Sequence, residues 1–270
     1  MHDAFAPLGA LIAEVPFRIG VLVRSTDGET FLERDADVAF PAASVIKVPL
    51  VMTLYADAAE GRLSLDERSP IGERMDGSGV LRDLRDVRDL SLRDLAALTI
   101  GLSDNTATNR LIERVGVTRV AERTREWGIA TTVLRRKMYD FEAARRGVEN
   151  VATARELVAL LGRLVDGRCV DRATSDAVLR LMERCQDETK LRRYLAPETI
   201  VASKSGTLDA SRNDVAVFRG PARTILAAAF TTEVKNALAA EHVLGLLGRA
   251  AAVAAGIDVP SLPFAVAPLG

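Results

Sequence analysis

The sequence predicts an α/β fold of the α+β type, in which strands from both ends of the chain form one antiparallel sheet flanked by helices and the middle forms a mostly helical lobe. Three observations predict it. The chain has 270 residues, 48% of them hydrophobic, so it can bury a large core. Alternating, strand-like runs occur near both ends. Residues 44–196 instead place apolar side chains at helical spacing.

The chain opens with an amphipathic stretch over residues 4–15, which predicts a helix. An alternating run over 18–24, a turn at Asp27 and Gly28 and a second extended run over 30–35 predict a β-hairpin. Because a lone hairpin is barely stable in water, we expect it to pair with strands from elsewhere in the chain.

The middle of the chain predicts helices over residues 92–99, 105–115, 154–164 and 171–185. Each of these segments repeats apolar residues every three or four positions. Such helices bury one face against one another, so they predict a helical lobe.

Extended character returns in residues 200–204, 214–219 and 223–232, and a helix-like segment over 234–255 follows. The predicted organisation is one domain, 1–270. Its two subdomains are a sheet lobe, 1–40 plus 199–270, and a helical lobe, 41–198. A cleft between two lobes is a common place for an active site.

The charge pattern argues against two classes of partner. The formal net charge is −1, with acidic and basic residues interspersed, so neither nucleic acid nor an anionic membrane is expected. No segment of bilayer length is free of charges, and the N-terminus lacks the pattern of a secretory signal. We expect a monomer that binds a small-molecule substrate. It would be cytoplasmic as given, or periplasmic or secreted if a leader has been removed.

Histidine, cysteine and lysine are all scarce. His2 and His242 are the only histidines, and neither they nor Cys169 and Cys185 stand in a catalytic or metal-ligand pattern. No metal or organic cofactor is therefore expected. Lysine can lose its proton when desolvated and arginine cannot, so each lysine is a candidate for chemistry. The five lysines are Lys47, Lys137, Lys190, Lys204 and Lys235.

The first motif is Ser44-Val45-Ile46-Lys47, which leads into an apolar stretch. Residues three apart share a face of a helix, so the Lys47 amine can lie beside the Ser44 hydroxyl. A helix N-terminus also offers backbone N–H groups to a developing oxyanion. Taken alone, the pair is more typical of a helix-capping serine and a surface lysine than of a catalytic pair.

The second motif is Ser103-Asp104-Asn105, after an apolar helical segment. Hydroxyl and amide groups at a corner between helices can relay a proton and hold an amide substrate. A capped turn is the alternative interpretation.

The third motif is Lys204-Ser205-Gly206-Thr207, at the end of an extended run. Glycine at a strand edge allows a substrate to approach the backbone closely. The lysine and the serine can hold a carboxylate.

Together, the SxxK, SDN and KSG motifs resemble those of the penicillin-recognising serine hydrolases, and their spacing is similar to that of class A beta-lactamases. The resemblance extends over most of the chain, including the opening hairpin, residues 77–81 and 94–116, and the final strands. It implies a beta-lactamase/transpeptidase-like fold.

The resemblance implies a role for each motif residue in acylation. Ser44 would be the nucleophile, and Lys47 would lower the barrier to its proton transfer. Ser103 would pass a proton to the leaving nitrogen. The backbone N–H groups of Ser44 and Thr207 would form the oxyanion hole.

The resemblance also implies the substrate contacts. Asn105 would bind the amide of the substrate's acyl side chain. Lys204 would act electrostatically on Ser103 and on the substrate carboxylate, while Ser205 and Thr207 would line the carboxylate pocket beside Gly206.

One segment departs from the family pattern. Class A enzymes carry a glutamate in an ExxLN loop, which activates the water that releases the acyl group. If Arg136 matches the family's loop arginine, the glutamate position falls on Met138. Asp140 and Glu142 are the only carboxylates nearby. Glu142 is the preferred candidate base, and a solvated helix start is the alternative interpretation of both.

Three functions follow from this pattern. The first is a class A-type beta-lactamase that hydrolyses the lactam amide through an acyl-enzyme. The second is a peptidase, esterase or amidase of the same fold that turns lactams over slowly. The third is a catalytically silent penicillin-binding or sensor protein.

Overall fold

A computed structural model describes residues 5–262. The described chain divides into two compact units. The sheet unit contains the residues up to Val45, Ala152–Gly162 and the residues from Asp187 onward. The helical unit contains Ile46–Val151 and Arg163–Gln186.

The sheet unit is built on five antiparallel strands, which are β1 Arg18–Ser25, β2 Thr30–Arg34, β7 Ala202–Leu208, β8 Ser211–Arg219 and β9 Thr224–Thr232. Their order across the sheet is β2-β1-β9-β8-β7. The N-terminal hairpin therefore joins the C-terminal strands through β1 and β9. This confirms the predicted α+β fold with a sheet made from both ends of the chain.

Helices α1 (Ala6–Glu14) and α9 (Ala237–Ala255) complete the sheet unit. The apolar core contains residues of both helices and of the alternating positions of the strands, such as Val21, Ala216 and Phe218. Residues that alternate along a strand share one face of the sheet, so this face is the one that the core covers.

Helix α9 is long and apolar enough to cross a membrane by length and composition alone, with a mean hydropathy of 1.3. However, 61% of that stretch is buried inside the protein. At Gly248 a Cβ would lie 1.7 Å from the Leu191 carbonyl oxygen, so only glycine permits this approach of the 191 backbone. The helix is thus a core helix that packs closely on its own unit.

The helical unit is centred on α2, Lys47–Ala59, in which every residue from Lys47 to Asp57 is buried. A helix that is buried on all sides is the core of its unit. Around it the unit contains α3 Leu92–Gly101, α4 Asn105–Val115, α5 Val117–Glu126, α6 Phe141–Arg145 and α8 Arg172–Met182, with the antiparallel strand pair β4 Arg68–Pro70 and β5 Asp89–Ser91. Pro49 falls in the first turn of α2, where its missing N–H breaks no helical hydrogen bond.

The remaining elements are β3 (Phe40–Pro41), a 3-10 helix over Ala43–Ile46, β6 (Val151–Ala152) and α7 (Ala154–Val165). Ser44 lies in the 3-10 helix, directly before the first residue of α2. The first motif is therefore helical, as its spacing predicts.

Candidate active site

Lys47 is wholly buried in the helical unit and holds the second motif. Its Nζ donates to the Ser103 carbonyl oxygen at 2.8 Å, to Ser103 Oγ at 3.1 Å and to Asn105 Oδ1 at 3.0 Å. Three acceptors at these distances satisfy the donors of an ammonium group. The first and second motifs thus meet through this lysine, and the surface-lysine interpretation of Lys47 is wrong.

The second motif is held in a strained conformation. Ser103 has φ 54°, in the left-handed region that non-glycine residues seldom adopt. Such residues cost about 1–3 kcal/mol and occur often at functional sites. Ala43, the residue before Ser44, has φ 48°. The same kind of strain therefore accompanies both serines that the sequence singles out.

Asp104 joins the second motif to the segment over residues 76–81. Its Oδ1 caps α4 by accepting from the Ala107 N–H at 2.9 Å. Its Oδ2 accepts from the N–H groups of Val80 and Leu81 at 2.8 and 2.9 Å. A buried carboxylate whose oxygens are all hydrogen-bonded within the protein has a structural role. Asp104 therefore acts as a brace for the second motif, and Ser103 and Asn105 are its residues that are predicted to act on the substrate.

The side-chain amide of Asn105 is held by one hydrogen bond at each end. Its Oδ1 accepts from Lys47, and its Nδ2 donates to the Asp76 carbonyl oxygen at 3.0 Å. The residue is buried. The amide is thereby fixed in orientation, which a group that reads a substrate amide requires.

In the sheet unit, the third motif lies on β7, with Lys204 wholly buried and its Nζ donating to the Ser205 carbonyl oxygen at 2.7 Å. A Cβ at Gly206 would lie 2.9 Å from Ala43 Cβ and 3.0 Å from the Ser44 backbone nitrogen. The edge of β7 therefore comes against the backbone of the predicted nucleophile, as an oxyanion hole made from these two segments requires.

Sequence reasoning missed a group of charged residues near Ser205, formed by the buried Lys190, the half-buried Asp187 and the buried Asp214. Lys190 Nζ donates to Asp187 Oδ2 at 2.6 Å, and the Ser205 hydroxyl is near enough to Asp187 to lower the pKa of that carboxyl. Burial alone would raise the pKa of the Asp187 carboxyl. Nevertheless, the Lys190 ammonium and the hydroxyls of Thr189 and Ser205 outweigh burial and hold this pKa well below its usual range. The scarcity of lysine was the signal that could have pointed to Lys190.

Asp214 completes this group from β8. It lies opposite Ser205 in the β7–β8 register and is wholly buried. Its Oδ2 accepts from the Leu191 N–H at 3.1 Å, and its Oδ1 has no hydrogen-bond partner among the described residues. Burial raises the pKa of Asp214 to about 7, against the opposing charge of Lys190.

The segment that departs from the family pattern is pinned by two asparagine amides. Asn109 Oδ1 accepts from the Met138 N–H at 2.8 Å, and Asn109 Nδ2 donates to the Met138 carbonyl oxygen at 3.1 Å. Asn150 Oδ1 accepts from the N–H groups of Arg135 and Arg136 at 2.7 and 3.0 Å. The backbone at Met138 is thus fixed, and its side chain is buried.

The two carboxylates of this segment lie at the start of α6. Asp140 is its N-cap and accepts from the Ala143 N–H at 2.9 Å. Glu142 is in the first turn, with its side chain 73% exposed and paired with Arg146 at 2.7 Å. Both side chains lie where the alternative interpretation, a solvated helix start, predicts them. The catalytic role of Glu142 stays a prediction.

Neither a metal cluster nor a reactive thiol stands out between Phe5 and Leu262. No group of three or more histidine, cysteine, aspartate or glutamate side chains in that range could hold a metal ion. Cys169 and Cys185 are both buried and unpaired with one another. Burial raises the pKa of the Cys169 thiol to about 12, which keeps it protonated.

Comparison with known proteins points to one family. A model of the Beta-lactamase enzyme family matches residues 6–254. Beta-lactamase L2 of Stenotrophomonas maltophilia is 28% identical over 220 residues, which are 79% of this chain and 72% of L2. A crystal structure of a beta-lactamase from Sphaerobacter thermophilus is 33% identical, with a TM-score of 0.86 over 95% of this chain and 98% of that one.

A structure of PBP-A is 25% identical, with a TM-score of 0.83 over 93% of this chain and 95% of that one. A variant of PBP-A with the same identity and TM-score was solved as an acyl-enzyme complex with penicillin G. The match over residues 6–254 spans both units and all three motifs, and the chain is therefore a member of the Beta-lactamase enzyme family.

Proposed function

We propose that this protein is a serine hydrolase that beta-lactams acylate at Ser44, and that it hydrolyses them as a class A-type beta-lactamase. The observation that carries the proposal is the buried Lys47 ammonium, which bonds Ser103 Oγ and Asn105 Oδ1. A lysine buried among hydroxyl and amide groups is suited to moving a proton, because burial eases the loss of its charge.

The proton transfers of the proposed acylation step use the first and second motifs. When Lys47 is neutral, its amine takes the proton of Ser44 as Ser44 Oγ bonds to the lactam carbonyl carbon. As the carbon–nitrogen bond of the ring breaks, Ser103 gives its hydroxyl proton to the leaving nitrogen and regains one from Lys47. The 3.1 Å contact between Lys47 Nζ and Ser103 Oγ supports this relay.

The negative charge that develops on the carbonyl oxygen needs donors. The N–H groups of Ser44 and Thr207 are proposed to supply them, each worth about 3 kcal/mol in comparable acyl-transfer sites. The close approach of Gly206 to the Ser44 nitrogen supports this pairing.

A second candidate function is the slow release of lactams by a hydrolase whose proper substrate is another amide or an ester. One observation favours it. Glu142, the preferred candidate base, is solvated and paired with Arg146. If Arg136 matches the family's loop arginine, the position of the glutamate that activates water falls on Met138. Acylation does not need that base, whereas release does, so its absence slows only the second half-reaction.

Turnover of a chromogenic cephalosporin separates the two candidates. A beta-lactamase gives many turnovers per protein molecule, and the second candidate gives a burst of about one equivalent followed by a slow phase. Ser44→Ala should abolish both signals. Ser64→Ala, at an exposed serine of the helical unit, is the matched control and should keep them. Undiminished burst or turnover in Ser44→Ala would refute the proposal.

A further inference from the structure

Asp214 has no place in the proposed reaction, yet it lies beside the predicted carboxylate pocket. Directly opposed residues of antiparallel strands project from the same face, with Cβ atoms about 5 Å apart. Asp214 is opposed to Ser205 in this way. The ionised form of a wholly buried carboxyl with one unpartnered oxygen costs free energy. Packing alone therefore does not explain why an aspartate stands at position 214.

The charges around Ser205 nearly balance. Lys190 and Lys204 are buried cations, and Asp187 is ionised because it accepts from Lys190 and its pKa is lowered. With Asp214 protonated, these four groups carry a net charge of +1, and with Asp214 ionised they carry none. The proton on Asp214 therefore decides whether this end of β7 is electropositive.

The hydroxyl of Ser205 is affected as well. It helps to lower the pKa of Asp187 and so stabilises an anion that is already present in the group. The net charge of the group therefore contributes to the attraction for a carboxylate beside any hydrogen bond that Ser205 donates. This makes the charge state of Asp214 consequential for binding.

We propose that Asp214 is a specificity-determining positioning residue, whose bound proton keeps the Ser205 end of strand β7 electropositive and so favours substrates that carry a carboxylate. The inference rests on the proposed function in that the carboxylate is that of a beta-lactam. The group takes up a proton when the anion binds, and no covalent step is involved.

The direction of the pH dependence follows from the charges. Burial and the Asp187 carboxylate raise the pKa of Asp214 to about 7, while Lys190, the Leu191 N–H and Lys204 oppose them. Below that pH the group is protonated and the net charge is positive, and above it the charge is lost.

Three charged or titratable groups on the neighbouring elements do not supply this titration. Arg212 of β8 is paired with Glu241 of α9, and His242 of α9 contacts Tyr194. Burial and Arg193 lower the pKa of His242, which moves its titration away from pH 7.

The first test is the acylation efficiency of a carboxylate-bearing chromogenic cephalosporin between pH 5.5 and 8.5. In the native protein it should fall about tenfold as the pH rises through 7, because one charge near the site is lost. Asp214→Asn should remove that fall and keep the efficiency high at pH 8.5. The control is Asp209→Asn, at an exposed carboxylate of the same hairpin, which should keep the native profile.

The same cephalosporin with its carboxylate masked as a methyl ester should show no such fall in the native protein. An equal fall for the ester, or a native profile in Asp214→Asn, would overturn the inference. In either case acylation itself would persist, so the proposed function would stand.

Calorimetry provides a test that needs neither acylation nor a substitution at 214. Ser44→Ala should bind benzylpenicillin at pH 7.5 with a heat that depends on the ionisation heat of the buffer, which reports a fractional uptake of protons. Heats that are the same in two such buffers would contradict the inference. The absence of any binding would contradict it too, because the Ser205 end of strand β7 would then attract no carboxylate.

Discussion

At the scale of single residues, the function depends on Lys47, whose Nζ bonds both Ser103 Oγ and Asn105 Oδ1. The sequence predicted this residue because lysine is rare in the chain and stands three positions after a serine. It could not predict the 187–190 segment, because nothing in a linear pattern indicates that a surface-like DETK run folds against β7. Residues brought together by tertiary packing alone leave no spacing to recognise.

Lys47→Arg tests proton transfer by the lysine. Arginine keeps the positive charge but cannot lose its proton, so the acylation rate should fall by at least about 100-fold. Rapid-quench mass spectrometry measures the rate, and the thermal midpoint reports on the fold. Lys235→Arg, at an exposed lysine, is the control. An acylation rate within a fewfold of native in a folded Lys47→Arg protein would rule out this role.

Asp187→Asn tests the buried ion pair. It leaves the Lys190 ammonium, whose side chain is 2% exposed, without its carboxylate, which should cost about 3 kcal/mol of unfolding free energy at pH 7. The pKa of Asp187 is lowered by folding, so its contribution is present above the pKa of the unfolded chain, about 4, and is lost as the pH falls further.

Urea unfolding at pH 7 and pH 3 measures this difference. Asp176→Asn, in the exposed pair with Arg172, should change the stability by under about 1 kcal/mol. If the two variants are equally stable at pH 7, the buried pair does not have the strength that we assign to it.

At the scale of elements, helices with a strong apolar repeat were predicted closely. The segment 105–115 is α4, Asn105–Val115, and the strand 223–232 is β9, Thr224–Thr232. The helix predicted over 171–185 ends at Met182, where a turn follows. The short pair β4–β5 and helix α5 were not predicted. Three-residue strands are too short for a visible alternation, and α5 is polar over most of its surface.

Gly206→Ala tests the contact between β7 and the Ser44 backbone. The new Cβ would lie 2.9 Å from Ala43 Cβ and 3.0 Å from the Ser44 nitrogen, so one of the two segments must shift. We expect acylation to slow by about 100-fold, because a donor of the oxyanion hole is displaced.

Gly9→Ala is the control for that substitution, since its Cβ would be 3.8 Å from the nearest atom in the same unit. Stopped-flow acylation kinetics of both variants provide the comparison. Unchanged kinetics in Gly206→Ala would show that the strand edge does not contribute to the site.

Met138→Glu tests the loop that departs from the family pattern. The amide of Asn109 and that of Asn150 fix the backbone here, so a new carboxylate would stand where the resemblance expects the base. The acyl-enzyme should be released about 100-fold faster. Met138→Gln, of similar size and without a base, should not show this gain. The lifetime of the adduct by intact mass measures both, and equal lifetimes would contradict the interpretation of the loop.

At the scale of the whole molecule, the fold class could be predicted from the sequence. Strand-like runs at both ends of the chain and helical spacing between them exclude most other architectures. The family match over residues 6–254 agrees with that fold. The three motifs could also be identified from the sequence. It did not reveal that Asp104 and Asn109 act as braces or that Asp187 accepts from Lys190, since each of these depends on the orientation of a buried side chain.

The central claim, that lactams acylate Ser44, is tested most directly by locating the adduct. Trypsin releases residues 35–47 as one peptide, in which Ser44 is the only hydroxyl-bearing residue, whereas Ser103 falls in the separate peptide 94–110. After reaction with penicillin G, peptide mass mapping should show the mass of one penicillin on 35–47. An adduct on any other peptide, or neither an adduct nor hydrolysis of penicillin G by the folded protein, would contradict the account.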